Sequence, residues 1–224
     1  MSEEPKSKSL EIGLAIFILL GLIASFFIWQ NAKMRHRGGR SDQTEAISNA
    51  RQIGLALFEF ETEYGTFPAE STVAEVANAY PAHGIDLSGT SSNALFRQLF
   101  AADITQSEQM FYAKTKTKGW RKPDGIITPG NILEPGTCGF TYISGLSTKD
   151  DPMTPLALTP LITGTTTFDP KPFKGKAIVL QIDLSVRTYE IKKDGHIYQD
   201  GIDLLSPKHP IWKGKAPDIR YPDL

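Results

Sequence analysis

The chain has 224 residues, with 24 lysines and arginines against 25 aspartates and glutamates and a formal net charge of −1. This balance gives the molecule no overall attraction to a polyanion, so we predict that nucleic acid is not a partner. The single cysteine, Cys138, excludes an intramolecular disulfide.

An apolar segment lies near the N-terminus. Residues 12–29 read IGLAIFILLGLIASFFIW, an uncharged run of 18 residues. As a helix this run would extend roughly 27 Å, close to the hydrocarbon thickness of a bilayer. A cleaved signal peptide is the alternative, but its apolar region is normally shorter, and no small-x-small cleavage site follows here. We therefore predict a single transmembrane helix over residues 12–29.

A basic connector, residues 30–41, follows the predicted span. Its four cations are Lys33, Arg35, Arg37 and Arg40. Only Lys6 and Lys8 precede the span, so the positive-inside rule taken alone favours a cytoplasmic domain. Paired glycines, Gly38 and Gly39, are poor helix formers and predict a bend or break within the connector.

The next segment has the period of an amphipathic helix. Its apolar residues recur every three or four positions: Ile47, Ala50, Ile53, Leu57, Phe60 and Tyr64. Asp42, with Glu45 three residues later, resembles a helix-capping pair, and Gly65 followed by Pro68 is a stop signal. We predict a helix over residues 44–64.

The middle of the chain is less regular. Residues 65–90 have no sustained period and are predicted as loop, with a short helix over 73–80 as the alternative. Residues 91–104, SSNALFRQLFAADI, place apolar side chains on one stripe and predict a second helix. Residues 138–144 and 156–162 are apolar but short, and they are predicted as strands.

The late part of the chain has the strongest strand signal. KAIVLQI and VRTYEIK are separated by residues 183–185, and an Asp-Gly turn in KDGH leads into HIYQ, which predicts an antiparallel meander. Prolines at positions 207, 210, 217 and 222 exclude a regular helix or a central strand beyond it. The predicted fold class is α+β: an amphipathic helix packed on a small antiparallel sheet with long loops, forming one domain over residues 42–224.

Two stretches resemble the pilin-like subunits of type II secretion and type IV pilus systems. Residues 49–68, NARQIGLALFEFETEYGTFP, are similar to the corresponding helix of pseudopilin-type proteins. VLQIDLSVRTYEI and KDGHI are similar to the late hairpin of larger bacterial pilin-like proteins. The resemblance implies a single-pass inner-membrane protein of the cell envelope, with residues 1–11 cytoplasmic and the domain periplasmic. It also implies a filament subunit or assembly factor in protein transport, whose partners are the bilayer and other pilin-like or secretion-system subunits.

The resemblance also singles out Glu11, which corresponds to the family's glutamate at the start of the hydrophobic helix and is our candidate assembly residue. Processing would then fall between Lys6 and Ser7. The family has Gly followed by Phe around that site, and this chain has neither. We therefore predict that residues 1–6 are retained.

A basic segment with an aromatic residue supports a different function. KTKTKGWRK supplies candidate ligand contacts, to which Trp212 is added: Lys114, Lys116, Lys118, Trp120, Arg121 and Lys122. Such a segment grips phosphates or stacks on a base or sugar, although runs of this kind are usually solvated loops. The alternative function is accordingly a membrane-tethered extracytoplasmic module that binds a polymer or protein ligand.

No pattern indicates an enzyme. Cys138 paired with His83, His196 or His209 would supply a thiolate and a base, but no local signature accompanies them, and we predict no catalytic residue. We likewise predict no cofactor. Calcium at an acidic group near the late turns stays open as an alternative, with the ligands Asp183, Asp194, Asp200 and Asp203.

Overall fold

A computed structural model of the protein describes residues 21, 23, 25, 41–81, 84–115 and 119–224. The chain divides into two units, Met1–Ser41 and Asp42–Leu224, and the second contains the sheet. The predicted membrane span falls outside the described residues except for Gly21, Ile23 and Ser25, which are helical. Within the described part, no helix combines the length and the apolar character needed to cross a bilayer. Glu11 and the Gly38-Gly39 pair also lie outside the described residues.

The first helix, α1, covers residues 41–64, which confirms the prediction from its period. Its stripe of fully buried residues includes Ile53, Leu57 and Phe60. Gly54 lies on the same side, where an added Cβ would approach the Leu180 side chain to 3.0 Å, so the helix packs closely on the sheet. The predicted cap at Asp42 is wrong, because Asp42 lies within the helix and its carboxylate accepts a hydrogen bond from Lys114.

Two shorter helices follow. A 3₁₀ turn at Glu70–Thr72 leads into α2, Val73–Ala79, so the loop predicted for residues 65–90 is wrong there and the alternative of a short helix is confirmed. The predicted second helix is α3, Ser92–Ala101, and Ser91 caps it by accepting from the Ala94 N–H at 3.1 Å. It ends three residues early because Asp103 adopts a left-handed conformation, with φ of 57°.

Antiparallel strands form the other half of the fold. They are β1 (Thr141–Ser144), β2 (Pro155–Thr159), β3 (Lys176–Gln181), β4 (Val186–Glu190), β5 (Tyr198–Gln199), β6 (Ile202–Asp203) and β7 (Asp218–Arg220). Five of them make one sheet in the order β4-β3-β2-β1-β7, and β5 and β6 pair separately. The fold is therefore α+β with an antiparallel sheet, as predicted.

The β3–β4 hairpin is confirmed, with Ile178 opposite Thr188, but the meander does not continue through HIYQ as predicted. A tight turn, closed by the Lys192 N–H donating to the His196 C=O, directs the chain away from β4. The Tyr189 hydroxyl then donates to Gln199 in β5 at 3.0 Å, so the small β5–β6 ribbon lies over one face of the sheet.

The segment after the prolines joins the sheet only at its edge. Strand β7 pairs with β1, with Ile219 opposite Ile143. Beyond it, the Tyr221 C=O accepts from the Ser92 N–H at 3.0 Å, and the Asp223 N–H donates to Asn93 Oδ1 at 3.0 Å. The segment 218–223 thus joins β1 to the first turn of α3.

Both faces of the sheet are buried. Alternate residues of β1 and β3 face α1, and these include Tyr142, Ile178 and Leu180. The residues between them face the opposite way into a second core built from the loops: Ile143, Ala177, Val179, Phe168, Ile197, Leu204, Leu205 and Trp212. The period-2 alternation of a strand accounts for this division.

Candidate functional site

The basic segment packs against the first described turns of α1. Lys114 Nζ lies 2.7 Å from Asp42 Oδ2, and Lys122 Nζ lies 3.8 Å from Glu45 Oε1. We call Lys114, Trp120, Arg121 and Lys122 the basic clasp. Lys116 and Lys118 fall outside the described residues.

Aromatic packing supports these ion pairs. The Trp120 ring lies 5.0 Å from the Tyr112 ring, and its Nε1–H donates to the Ala113 C=O at 3.0 Å. Lys122 Nζ lies over the Tyr112 ring, 5.3 Å from its centroid. Burial, followed by the negative charges of Glu45 and Asp42, raises the pKa of Tyr112 to about 12, so the phenol stays neutral.

The clasp cations are therefore engaged with acids of their own chain. Arg121 pairs with Glu134, as Lys114 and Lys122 do with the acids of α1. The three cations remain 41–61% exposed, so these are surface ion pairs of modest strength. The geometry gives the clasp a structural role, and its contact with a ligand stays a prediction.

Trp212, the remaining predicted contact, lies elsewhere. Its side chain is 7% exposed and belongs to the core on the loop-covered face of the sheet. Its Nε1–H donates to the Leu204 C=O at 2.8 Å. The structure does not bring Trp212 together with the basic clasp, and its contact with a ligand stays a prediction.

Cys138 is fully enclosed. Its Sγ lies 3.8 Å from Ser92 Oγ and 3.5 Å from the Phe140 C=O, and burial raises the pKa of the thiol to about 11. The thiolate required of a nucleophile is therefore strongly disfavoured. Neither His196, which pairs with Asp203 at 2.9 Å, nor His209 forms a hydrogen bond to Cys138, and His83 is not among the described residues.

The four late aspartates are not gathered into one site. Asp183 accepts from the Ser185 N–H in the β3–β4 turn, whereas Asp194 accepts from the Tyr198 hydroxyl and from the His196 N–H. Within the described ranges, no group of three or more His, Cys, Asp or Glu side chains has the arrangement of a metal site. These aspartates stabilise turns, which their Asp-Gly and Asp-x-Ser contexts already favour.

Two surface features were missed in the sequence. Leu55 lies on the outer side of α1 with 62% of its surface exposed, and its position off the apolar stripe was the available signal. A cavity of about 510 Å³ lies between the end of α2 and the loop that follows α3, with Tyr80, Ile127 and Ile132 among its walls. No sequence period marks this cavity, because its walls come from separate loops.

No family model matches this chain, and neither the curated proteins nor the solved structures include a match.

Proposed function

We propose that the protein is a membrane-anchored, pilin-like subunit with a structural or assembly role in a secretion or pilus-like system. The proposal is supported mainly by the packing of α1 on the sheet. Its inner stripe covers an antiparallel sheet, and its outer side exposes Leu55. In a pilin-like assembly, the outer side of this helix is the surface that would pack against a neighbouring subunit.

Assembly through α1 predicts that a charge at Leu55 disrupts it. The full-length protein in native membranes should form species larger than a dimer on crosslinking, and Leu55→Arg should remove them. Ile126→Arg is the matched control, because Ile126 is also an exposed aliphatic residue, at 51%, but lies in a loop. Assembly that is unchanged in Leu55→Arg, or equally lost in Ile126→Arg, would contradict a role for this helix face.

The proposed location is the inner membrane, crossed once, with the domain in the periplasm. The apolar run at residues 12–29 supports the anchor, whereas the basic connector argues for the opposite orientation. An alkaline phosphatase fused after Leu224 should be active. An inactive phosphatase, together with an active cytoplasmic reporter at the same position, would reverse the orientation.

A substitution at Glu11 distinguishes an unprocessed subunit from a processed, polymerising one. A carboxylate at the edge of an apolar run is costly unless it reaches water or a partner. Intact-mass analysis should find residues 2–6 retained, and Glu11→Ala should leave membrane insertion unchanged. A mature chain that begins at Ser7, with assembly lost in Glu11→Ala, would instead identify a processed, polymerising pseudopilin.

The second candidate is a membrane-tethered binding module, and the cavity beside α2 favours it. A volume of about 510 Å³ with mainly apolar walls falls in the size range of ligand pockets. If this cavity binds an envelope polymer or protein, Ile127→Arg should abolish retention on that ligand while assembly persists. Equal retention by wild type and Ile127→Arg would exclude the cavity as the binding site.

A further inference from the structure

The two edges of the five-stranded sheet differ in how they are protected. Strand β7, at one edge, is three residues long, and Pro217 and Pro222 flank it. Its Arg220 guanidinium pairs with Glu70 at 2.6 Å and donates to the Thr90 C=O at 3.5 Å, so neighbouring segments lie against this edge. Short length, flanking prolines and covering loops are the usual protections against pairing with another chain.

Strand β4, at the other edge, has none of these features. Its sequence VRTYE contains no proline or glycine, and its register with β3 is regular over all five residues. Every one of its residues is at least partly exposed. Arg187 and Glu190 place charges on this strand, but a regular edge with neither prolines nor covering segments remains a template for the addition of another strand.

The hydrogen bonds of the hairpin show which backbone groups are free to pair. The Ile191 N–H donates to the Gly175 C=O, and the Ser185 C=O accepts from the Gln181 N–H. Odd-numbered residues of this segment therefore direct their backbone groups toward β3, and the alternation of a strand directs those of Val186, Thr188 and Glu190 outward. No described residue forms a hydrogen bond with these outward groups.

We propose that β4 is the docking edge for a second copy of this chain, which adds its own β4 in antiparallel orientation. When a two-fold axis perpendicular to the sheet relates two copies of β4, even-numbered residues of one copy lie opposite even-numbered residues of the other. The backbone groups of these residues are the ones that point outward, so they can form the hydrogen bonds between the copies. Centring the axis on Thr188 places the two Thr188 residues opposite each other and Val186 opposite Glu190.

Side chains support this register. Arg187 lies opposite Tyr189 of the second copy, a cation and an aromatic ring on the same face. No like charges lie opposite each other in the paired strands. The charged residues of β4 are Arg187 and Glu190, and they lie opposite Tyr189 and Val186 of the second copy. If two copies paired through β7 instead, Asp218 would lie opposite Arg220, but the paired segment would be only three residues long and bounded by prolines. Strand β4 is therefore the better edge for self-association.

Cysteine crosslinking of the full chain in membranes tests the register. In the proposed pair, the two Thr188 Cα atoms lie about 5.5 Å apart, within the range of a disulfide. Two Glu190 residues would lie about 14 Å apart, since they are displaced by four residues along the strands. The native Cys138 does not compete, because its thiol is buried.

We expect Thr188→Cys to form roughly tenfold more disulfide-linked dimer than Glu190→Cys, because only the first pair meets the geometry. A mixture of Val186→Cys and Glu190→Cys chains should form the mixed dimer, which neither variant forms with itself. Equal yields from Thr188→Cys and Glu190→Cys would overturn the proposal.

A proline substitution tests the same edge without cysteines. The Thr188 N–H points outward, so Thr188→Pro removes no β3–β4 hydrogen bond and should retain the far-ultraviolet circular dichroism of the wild type. It should also remove the dimer from light scattering of the detergent-solubilised chain. A folded Thr188→Pro protein that dimerises like the wild type would refute pairing through β4.

This edge is distinct from the outer face of α1. The Thr188→Cys disulfide should therefore form undiminished when Leu55→Arg is present as well. Loss of the disulfide only in the double variant would show that the contact depends on the proposed assembly through α1, and would overturn β4 as an independent docking edge.

Discussion

The two faces of the sheet are covered in different ways. On one face, α1 contributes Ile53, Leu57 and Phe60 as a continuous stripe, and α3 adds Leu95, Phe96 and Leu99. On the other, residues such as Phe168 and Trp212 come from separate loops that have no extended backbone ladder. The helix satisfies its own backbone groups, whereas the loops depend on individual bonds such as Trp212 to the Leu204 C=O. The helix face should therefore depend mainly on side-chain volume, and the loop face on specific hydrogen bonds.

The largest expected effect is on the helix face. Phe60 is fully buried and stacks on Tyr64 with centroids 4.4 Å apart. Phe60→Ala should lower the free energy of unfolding by about 3–5 kcal/mol, measured by urea denaturation. Glu59→Ala, at the exposed neighbouring position, is the control and should change it little. A similar loss in both variants would mean that helix content, not packing, dominates.

On the loop face, Trp212→Phe keeps an aromatic ring but removes the indole N–H and part of the side-chain volume. The buried Leu204 C=O then lacks its partner, which should lower the free energy of unfolding by about 1–3 kcal/mol. Tyr142→Phe is the matched loss of a ring donor on the helix face, since its hydroxyl donates to the Pro68 C=O at 3.0 Å. A clearly larger loss in Tyr142→Phe would reverse the comparison between the faces.

A buried carboxyl makes the helix face sensitive to pH. Glu108 is 2% exposed, and desolvation raises its pKa although it accepts a hydrogen bond from the Leu133 N–H. The folded state thus binds this proton more tightly than the unfolded state, so this residue makes stability fall as the pH rises from its ordinary pKa through the raised one. Glu108→Gln should reduce that fall, measured as thermal midpoints from pH 4 to pH 8. Parallel profiles for the two proteins would contradict the assignment.

The smallest expected effect concerns the basic clasp. Lys114 is 41% exposed, and solvent screening limits its pair with Asp42, so Lys114→Ala should lower the free energy of unfolding by at most about 1 kcal/mol. The difference from the wild type should shrink in high salt. Lys171→Ala is the control, because Lys171 is exposed and forms no ion pair with any described residue. A large, salt-independent loss would mean that the Lys114 stem, not its charge, holds the clasp.

The elements that sequence predicted best are those with a local signal. The period of residues 44–64 identified α1, and the alternating runs around residues 183–185 identified the β3–β4 hairpin. The pairing of β7 with β1 had no such signal, because the two strands are distant in the chain and only the folded sheet brings them together. The separation of HIYQ from the main sheet also escaped prediction, since turn residues show that a chain turns but not where it goes next.

The candidate site shows the same limit. The cations of residues 114–122 were identified from the sequence, but their acidic partner Asp42 is 72 residues away. Asp42 was therefore interpreted from its local neighbours as a helix cap. The sequence also predicts Trp212 as a ligand contact, but no local pattern shows that its indole packs in the core of the loop face.

The joining of β1 to α3 by residues 218–223 has a consequence for the order of folding. The hydrogen bond between Asp223 and Asn93 spans 130 residues, and segment 218–223 leaves the ribosome after every other element of the domain. Helix α1 and the β3–β4 hairpin can form while synthesis continues, but β1 lacks its outer neighbour until this segment is present. Closure of the domain is thus a late step of its folding.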